Sequence, residues 1–164
     1  MKRMCVSMLM ILASAAAVQG QSEPASAPVF SVQGAFIGLS VSDMEASTRW
    51  YREKLGLTVI MQAHRTDETK SAATVLQAGG LTVELVKHDE AVPLSNFLGD
   101  SKGALYVHGI FKAGIVVDDF DATIAALRSR GVNIAIGPFP KRGDQPANAI
   151  IRDNAGNYIQ IFGK

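Results

Sequence analysis

The chain predicts an α+β fold: two βαβββ modules whose curved mixed sheets form a cleft. Three observations carry that expectation. The stretch 36–57, FIGLSVSDMEASTRWYREKLGL, joins a strand-length apolar run to a capped amphipathic helix that stops on glycine. The stretch 112–132, KAGIVVDDFDATIAALRSRGV, repeats the same order, with Asp43 and Asp119, Ala46 and Ala122, and Arg52 and Arg128 at one offset of 76 residues (119 − 43). The closing segments match at that offset too: Gly80 answers Gly156, and Val83-Glu84-Leu85 answers Ile159-Gln160-Ile161. One such unit leaves an apolar face and an open sheet edge, so two units are needed to close around a cleft.

In chain order, Phe36, Ile37, Leu39 and Val41 predict a strand over 35–41. Ser42 offers a hydroxyl at the N-cap, and Glu45 three residues later completes a capping box. Met44, Ser47, Trp50, Tyr51 and Leu55 recur at helical spacing over 43–55, and Gly56 suits a left-handed C-terminal stop. Strands follow at 57–64, 71–78 and 81–87, the last two joined by a turn at Ala78-Gly79-Gly80. Residues 89–108 are a connector with a helical turn at 93–98. The second module repeats the pattern with a strand at 109–117, a helix at 119–130, and strands at 132–137, 147–152 and 157–162. Its last two strands are joined by the turn-forming run Asp153-Asn154-Ala155-Gly156-Asn157.

Ahead of the modules, residues 1–20 have the layout of a secretory signal: Lys2 and Arg3, an apolar run from Met4 to Leu12, then small residues. Cleavage is expected after Ala17 or Gly20, placing the mature chain in the periplasm or outside the cell. The apolar run is short for a membrane span. Residues 21–33, rich in Pro, Ala and Ser, read as a flexible linker, leaving 34–164 as the folded domain with modules 34–88 and 109–162. Cys5 is the chain's one cysteine and falls within the signal, so no disulfide is expected in the mature protein. The formal charge is +1, and losing Lys2 and Arg3 lowers it by two. A near-neutral domain without a basic stripe argues against nucleic acid as a partner, and no membrane contact is expected after cleavage.

The paired motifs Leu39-Ser40-Val41-Ser42-Asp43 with Trp50-Tyr51-Arg52-Glu53-Lys54-Leu55-Gly56-Leu57, and Val116-Val117-Asp118-Asp119 with Asp153 to Ile161, resemble the vicinal oxygen chelate superfamily. That superfamily holds glyoxalase I, extradiol dioxygenases, and fosfomycin- and bleomycin-resistance proteins. The likeness covers roughly residues 34–162. It implies metal ligands, His or Glu, on the first and last strands of each module. Counting seven residues back from Asp43 and Asp119 gives Phe36 and Lys112, and the last-strand positions are Glu84 and Gln160. A phenyl ring carries no donor atom, an ammonium repels a cation, and an amide oxygen is a weak donor. The expectation is therefore no metal and no cofactor. His64, His88 and His108 lie off these positions and read as structural or surface residues.

With the metal gone, Glu84 and Lys112 are expected to face one cleft with Gln160 beside them. Two arrangements remain open: an ion pair between Lys112 and Glu84, or a Lys112 that reaches to solvent beside a half-exposed Glu84. Asn148 and Arg152 alternate on the seventh strand, and Arg152 is a candidate anion clamp. The loop 139–144 is either a lid or a solvated turn, and Trp50 and Tyr51 read as core packing. The expected ligand-binding set is Phe36, Glu84, Lys112, Gln160 and Arg152, for a small organic molecule. The alternative is an enzyme of lyase or dioxygenase type, with a divergent metal site or with Glu84 as general base. A cleft without a ligand, serving only an interaction role, is the third reading. The resemblance leaves both a homodimer and a chain closed on itself open.

Overall fold

The computed structural model describes residues 36–98 and 108–164. The expected signal, the linker and the middle of the connector lie outside the described residues. The first module runs β1 (Phe36–Ser40), α1 (Met44–Leu55), β2 (Thr58–Ala63), β3 (Ser71–Ala78) and β4 (Leu81–His88). A helical turn, α2 (Ser95–Leu98), follows. The second module runs β5 (Lys112–Val117), α3 (Phe120–Ser129), β6 (Asn133–Phe139), β7 (Asn148–Arg152) and β8 (Tyr158–Gly163). Each module is a four-stranded sheet, ordered β1-β4-β3-β2 and β5-β8-β7-β6. In each, the first strand pairs parallel with the last, and the remaining pairs are antiparallel. The βαβββ duplication is thus borne out. β5 starts three residues later than expected, after Gly109 at φ 143 and a fully exposed Ile110.

The helix starts differ from expectation in one detail. Asp43, not Ser42, is the N-cap of α1: its carboxylate accepts from the Ala46 N–H at 3.0 Å. Asp119 does the same for α3, accepting from the Ala122 N–H at 2.8 Å. A carboxylate at this position also meets the positive end of the helix dipole, which a hydroxyl does not match. Gly56 ends α1 at φ 77 as expected. Its N–H donates to the Arg52 carbonyl, and the Leu57 N–H to that of Tyr51.

Alternation along the strands sorts each sheet into two faces. Val83, Leu85, Leu76, Ile151, Ile159 and Ile161 point to the helices and are buried to 4% exposure or less. Each fully buried leucine among them contributes roughly 1.5–3 kcal/mol. Both helices add to one common core, with Tyr51 from α1 and Ile124 and Leu127 from α3. The modules meet on this side. Tyr51 donates to Asp153 Oδ2 at 2.9 Å, and Asn154 Nδ2 to Ser47 Oγ at 3.2 Å, so α1 reaches the β7–β8 turn of the other module. At the helix C-termini, Lys54 donates to the Arg130 carbonyl while Arg130 donates to the Lys54 carbonyl. Register shifts at Val59/Met61 and Ile134/Ile136 put a bulge at matching places in β2 and β6, which bends both edge strands.

Candidate functional site

The face of each sheet turned away from the helices carries the residues singled out in the sequence. Strand register places them in rows. In the first sheet, Gly38 stands beside Glu84, which stands beside Val75, and Phe36 is one step along the edge strand, beside Thr82. In the second sheet, Lys112 stands beside Tyr158 and then Arg152, while Gly114, Gln160 and Ile150 form the next row. Phe36 and Glu84 are therefore diagonal neighbours, as are Lys112 and Gln160. All four lie on helix-free faces, two in each sheet.

Apolar side chains surround these positions and are left open to solvent. Phe36 is 66% exposed and Val116 65%, with Met61, Ile136 and Phe139 close to half exposed. A sheet face of this kind costs free energy in water unless something covers it.

The polar groups divide unequally. The Lys112 ammonium donates to Gln160 Oε1, and Gln160 Nε2 donates in turn to Asn148 Oδ1 at 3.4 Å. Gln160 is 8% exposed, so its amide is held on both sides in a nearly dry position. The ammonium also lies 5.2 Å from the centre of the Phe111 ring. Arg152 donates to the Tyr158 hydroxyl and stacks with its guanidinium 4.7 Å above that ring. Glu84 stands apart. It is half-buried, a methyl group built on Gly38 would lie 3.7 Å from its Oε2, and no described residue pairs with it. Of the two arrangements left open for Lys112, the ion pair with Glu84 is not formed: no such contact within 4.0 Å exists among the described residues. The ammonium turns to Gln160 instead, one strand away in the same sheet.

These donors do not suit a divalent ion. Three of the four positions offer a ring, an ammonium and an amide whose oxygen already accepts from that ammonium. Among the described residues, no three His, Cys, Asp or Glu side chains cluster as a metal site. His88 is committed locally, its Nδ1 accepting from the Glu90 N–H at 3.1 Å, and His64 and His108 are exposed. The loop 139–144 is solvent-exposed, with Arg142 and Gln145 bonded through their backbones in a tight turn. A cavity of about 660 Å³ lies in the seam between the modules, bordered on the helix-free side by Gly114 and Val116. Of the four strand positions, only Phe36 lines it.

What the sequence reading missed is the buried link across the seam. Asp153 accepts four hydrogen bonds: from the Ala155 N–H, the Asn157 N–H and side-chain amide, and the Tyr51 hydroxyl. Burial, together with the charge and hydrogen bond of Asp153, raises the Tyr51 pKa above the usual phenol range. The signal for this link was available, because Tyr51 and Asp153 both break the duplication: the residues 76 positions away are Leu127 and Gln77.

Comparison with known proteins fits this geometry. A family model described as Glyoxalase/Bleomycin resistance protein/Dioxygenase superfamily matches residues 35–161. No curated protein matches the chain. A glyoxylase/bleomycin resistance protein/dioxygenase domain from Frankia sp. EAN1pec is 23% identical with a TM-score of 0.59, over 81% of this chain and 93% of that one. TnmS3, an antibiotic binding protein from Streptomyces sp. CB03234, is 20% identical with a TM-score of 0.56, over 82% and 98%. Glyoxalase I from Zea mays is 18% identical with a TM-score of 0.57; the match covers 77% of this chain but 43% of that enzyme, so the chain spans less than half of it. At these identities the likeness to the solved structures is one of fold.

Proposed function

The chain belongs to the Glyoxalase/Bleomycin resistance protein/Dioxygenase superfamily, and on that premise we propose that it is an exported protein that binds a small organic molecule on its open sheet faces without a metal ion. The observation that carries the reading is the chemistry of the four strand positions, Phe36, Glu84, Lys112 and Gln160, set among exposed apolar side chains. Those faces offer an organic molecule both apolar area and hydrogen-bonding groups, the usual make-up of a small-molecule site. Lys112, Tyr158 and Arg152 form a row suited to an anionic or carbonyl-bearing group. The antibiotic-binding TnmS3 supports the reading by sharing the fold. Export rests on the signal-like N-terminus, and no helix of the described residues is long and apolar enough to cross a membrane.

The first test is metal content. Protein purified without chelator and challenged with zinc, nickel, manganese and iron(II) is expected to retain far less than one ion per chain. One tightly held ion per chain overturns the reading. The second test is a thermal-shift screen of aromatic antibiotics, in which a stabilising compound is expected to lose its effect in Lys112→Met and Arg152→Ala. The unpartnered carboxylate of Glu84 favours one alternative, a metal-free enzyme with Glu84 as general base. Turnover abolished in Glu84→Gln with binding retained would select it.

A further inference from the structure

The two halves of the molecule are related by the 76-residue repeat, yet their seams are packed differently. On one side, α1 carries Trp50, half-buried against the core, and Tyr51, fully buried, whose rings meet edge to face at 5.0 Å. Ser47 and Tyr51 then close that seam by hydrogen bonds with Asn154 and Asp153. On the other side, the residues at the same places on α3 are Thr123, Ala126 and Leu127, and those on the β3–β4 turn are Gln77, Ala78 and Gly80. An indole has become a methyl group and a phenol an isobutyl group, while the carboxylate partner has become an amide. The 660 Å³ cavity lies there, lined by Thr123, Ala126, Leu127, Ala78 and Gly80 themselves.

Its other walls and charges define what would fit. Leu55, Leu57, Leu81, Ile115 and Ile161 give it an apolar lining. Lys54 and Arg130 also line it, and among the described residues neither has an acidic partner. Each spends one donor on the other's backbone carbonyl, which leaves further N–H groups of both free to bind an anion. The volume falls within the range of small-molecule sites.

We propose that this seam cavity, which adjoins the open sheet faces at Phe36 and Val116, is a second binding site, for an aromatic carboxylate. The aromatic body would take the place that the Trp50 and Tyr51 rings hold in the other half, and the carboxylate would meet Lys54 and Arg130. Phe36 belongs to both, whereas Glu84, Lys112 and Gln160 do not line the cavity, so shifts and variants at those three distinguish this site from the one proposed for the sheet faces.

The test titrates the intact ¹⁵N-labelled protein with indole-3-acetate and follows amide shifts. Saturable shifts are expected at Leu81, Ile115, Ala126 and Leu127, with Gln160 and Glu84 unmoved. Ala126→Trp, which restores the indole of the other half, is expected to weaken binding at least tenfold while holding or raising the Tm. If that variant does not fold, Leu127→Phe fills the same space and carries the same expectation. Indole-3-acetamide, without the charge, is expected to bind roughly two- to fivefold more weakly, the scale of a partly exposed ion pair. Lys112→Met is expected to leave binding unchanged. The proposal is overturned by the absence of saturable shifts, by shifts centred on Glu84 and Gln160, or by undiminished binding in the folded cavity-filling variant. Nuclear Overhauser contacts between residues preceding Phe36 and the Leu127 methyls would also overturn it, because the chain itself would then fill the space.

Discussion

Tyr51 and Asp153 are 102 residues apart in sequence and share a buried hydrogen bond of 2.9 Å that fastens the first module's helix to the second module's closing turn. In the fold, the phenol is raised above its value of about 10 in an open chain. For a group whose folded pKa is raised, the stabilisation is complete below the unfolded value and is lost as pH rises above it. Stability is therefore expected to fall from about pH 10 upward. Followed by phenolate absorbance, Tyr51 should ionise only together with loss of the near-ultraviolet dichroism. Tyr51→Phe should remove that concerted step, and a Tyr51 that titrates in the intact fold would refute it.

The partner residue is expected to matter more than the tyrosine. Asp153→Ala removes the acceptor of four hydrogen bonds and leaves the Tyr51 hydroxyl buried without one. A loss of about 3 kcal/mol or more is expected, against about 1–2 kcal/mol for Tyr51→Phe, which leaves Asp153 three of its donors. Urea unfolding of the two variants measures the difference.

Helix capping gives a sharper local test. Asp43→Ala and Asp119→Ala should each cost about 1 kcal/mol. Ser42→Ala should stay within about 0.5 kcal/mol, as an exposed substitution away from a bonded cap. Equal losses at Ser42 and Asp43 would restore the capping box expected from the sequence.

Gln160 is held between Lys112 and Asn148, so removing the ammonium should leave a nearly buried amide oxygen short of a donor. Lys112→Met is expected to cost about 1–3 kcal/mol. Glu84→Gln, at a side chain with no bonded partner among the described residues, should change stability by less than about 0.5 kcal/mol. A double-mutant cycle on Lys112 and Gln160 should show coupling, whereas the same cycle on Lys112 and Glu84 should show none.

These contrasts mark how far the sequence could be read. The duplication, the succession of elements along each module and the glycine stop at Gly56 were legible because each rests on local pattern: alternation, capping and turn chemistry. Phe36, Glu84, Lys112 and Gln160 were picked out by the ligand positions that the family resemblance implies, and the strand register sets them on helix-free faces. The partner of Lys112 did not. Whether an ammonium meets a carboxylate in the other sheet or an amide in its own depends on the distance between sheets, which no local pattern sets. Strand spacing of about 4.8 Å favours the near neighbour. The seam was hidden for a different reason. Tyr51 looked like ordinary core packing and Asp153 like an ordinary turn residue, and their connection showed only as paired departures from the repeat.

The parallel pairing of β1 with β4, and of β5 with β8, has a consequence for how the chain assembles. In both sheets the opening strand lies against the final one, so Phe36 waits for Thr82 and Lys112 for Tyr158. Neither half can be completed from its leading end. Contacts this distant along the chain slow folding, because loop entropy must be lost before the strands can pair. During synthesis the second sheet would stay open until the segment Tyr158–Gly163 emerges. Removing the segment from Tyr158 onward would take out an interior strand, leaving β5 without a neighbour and β7 with a bare edge prone to self-association.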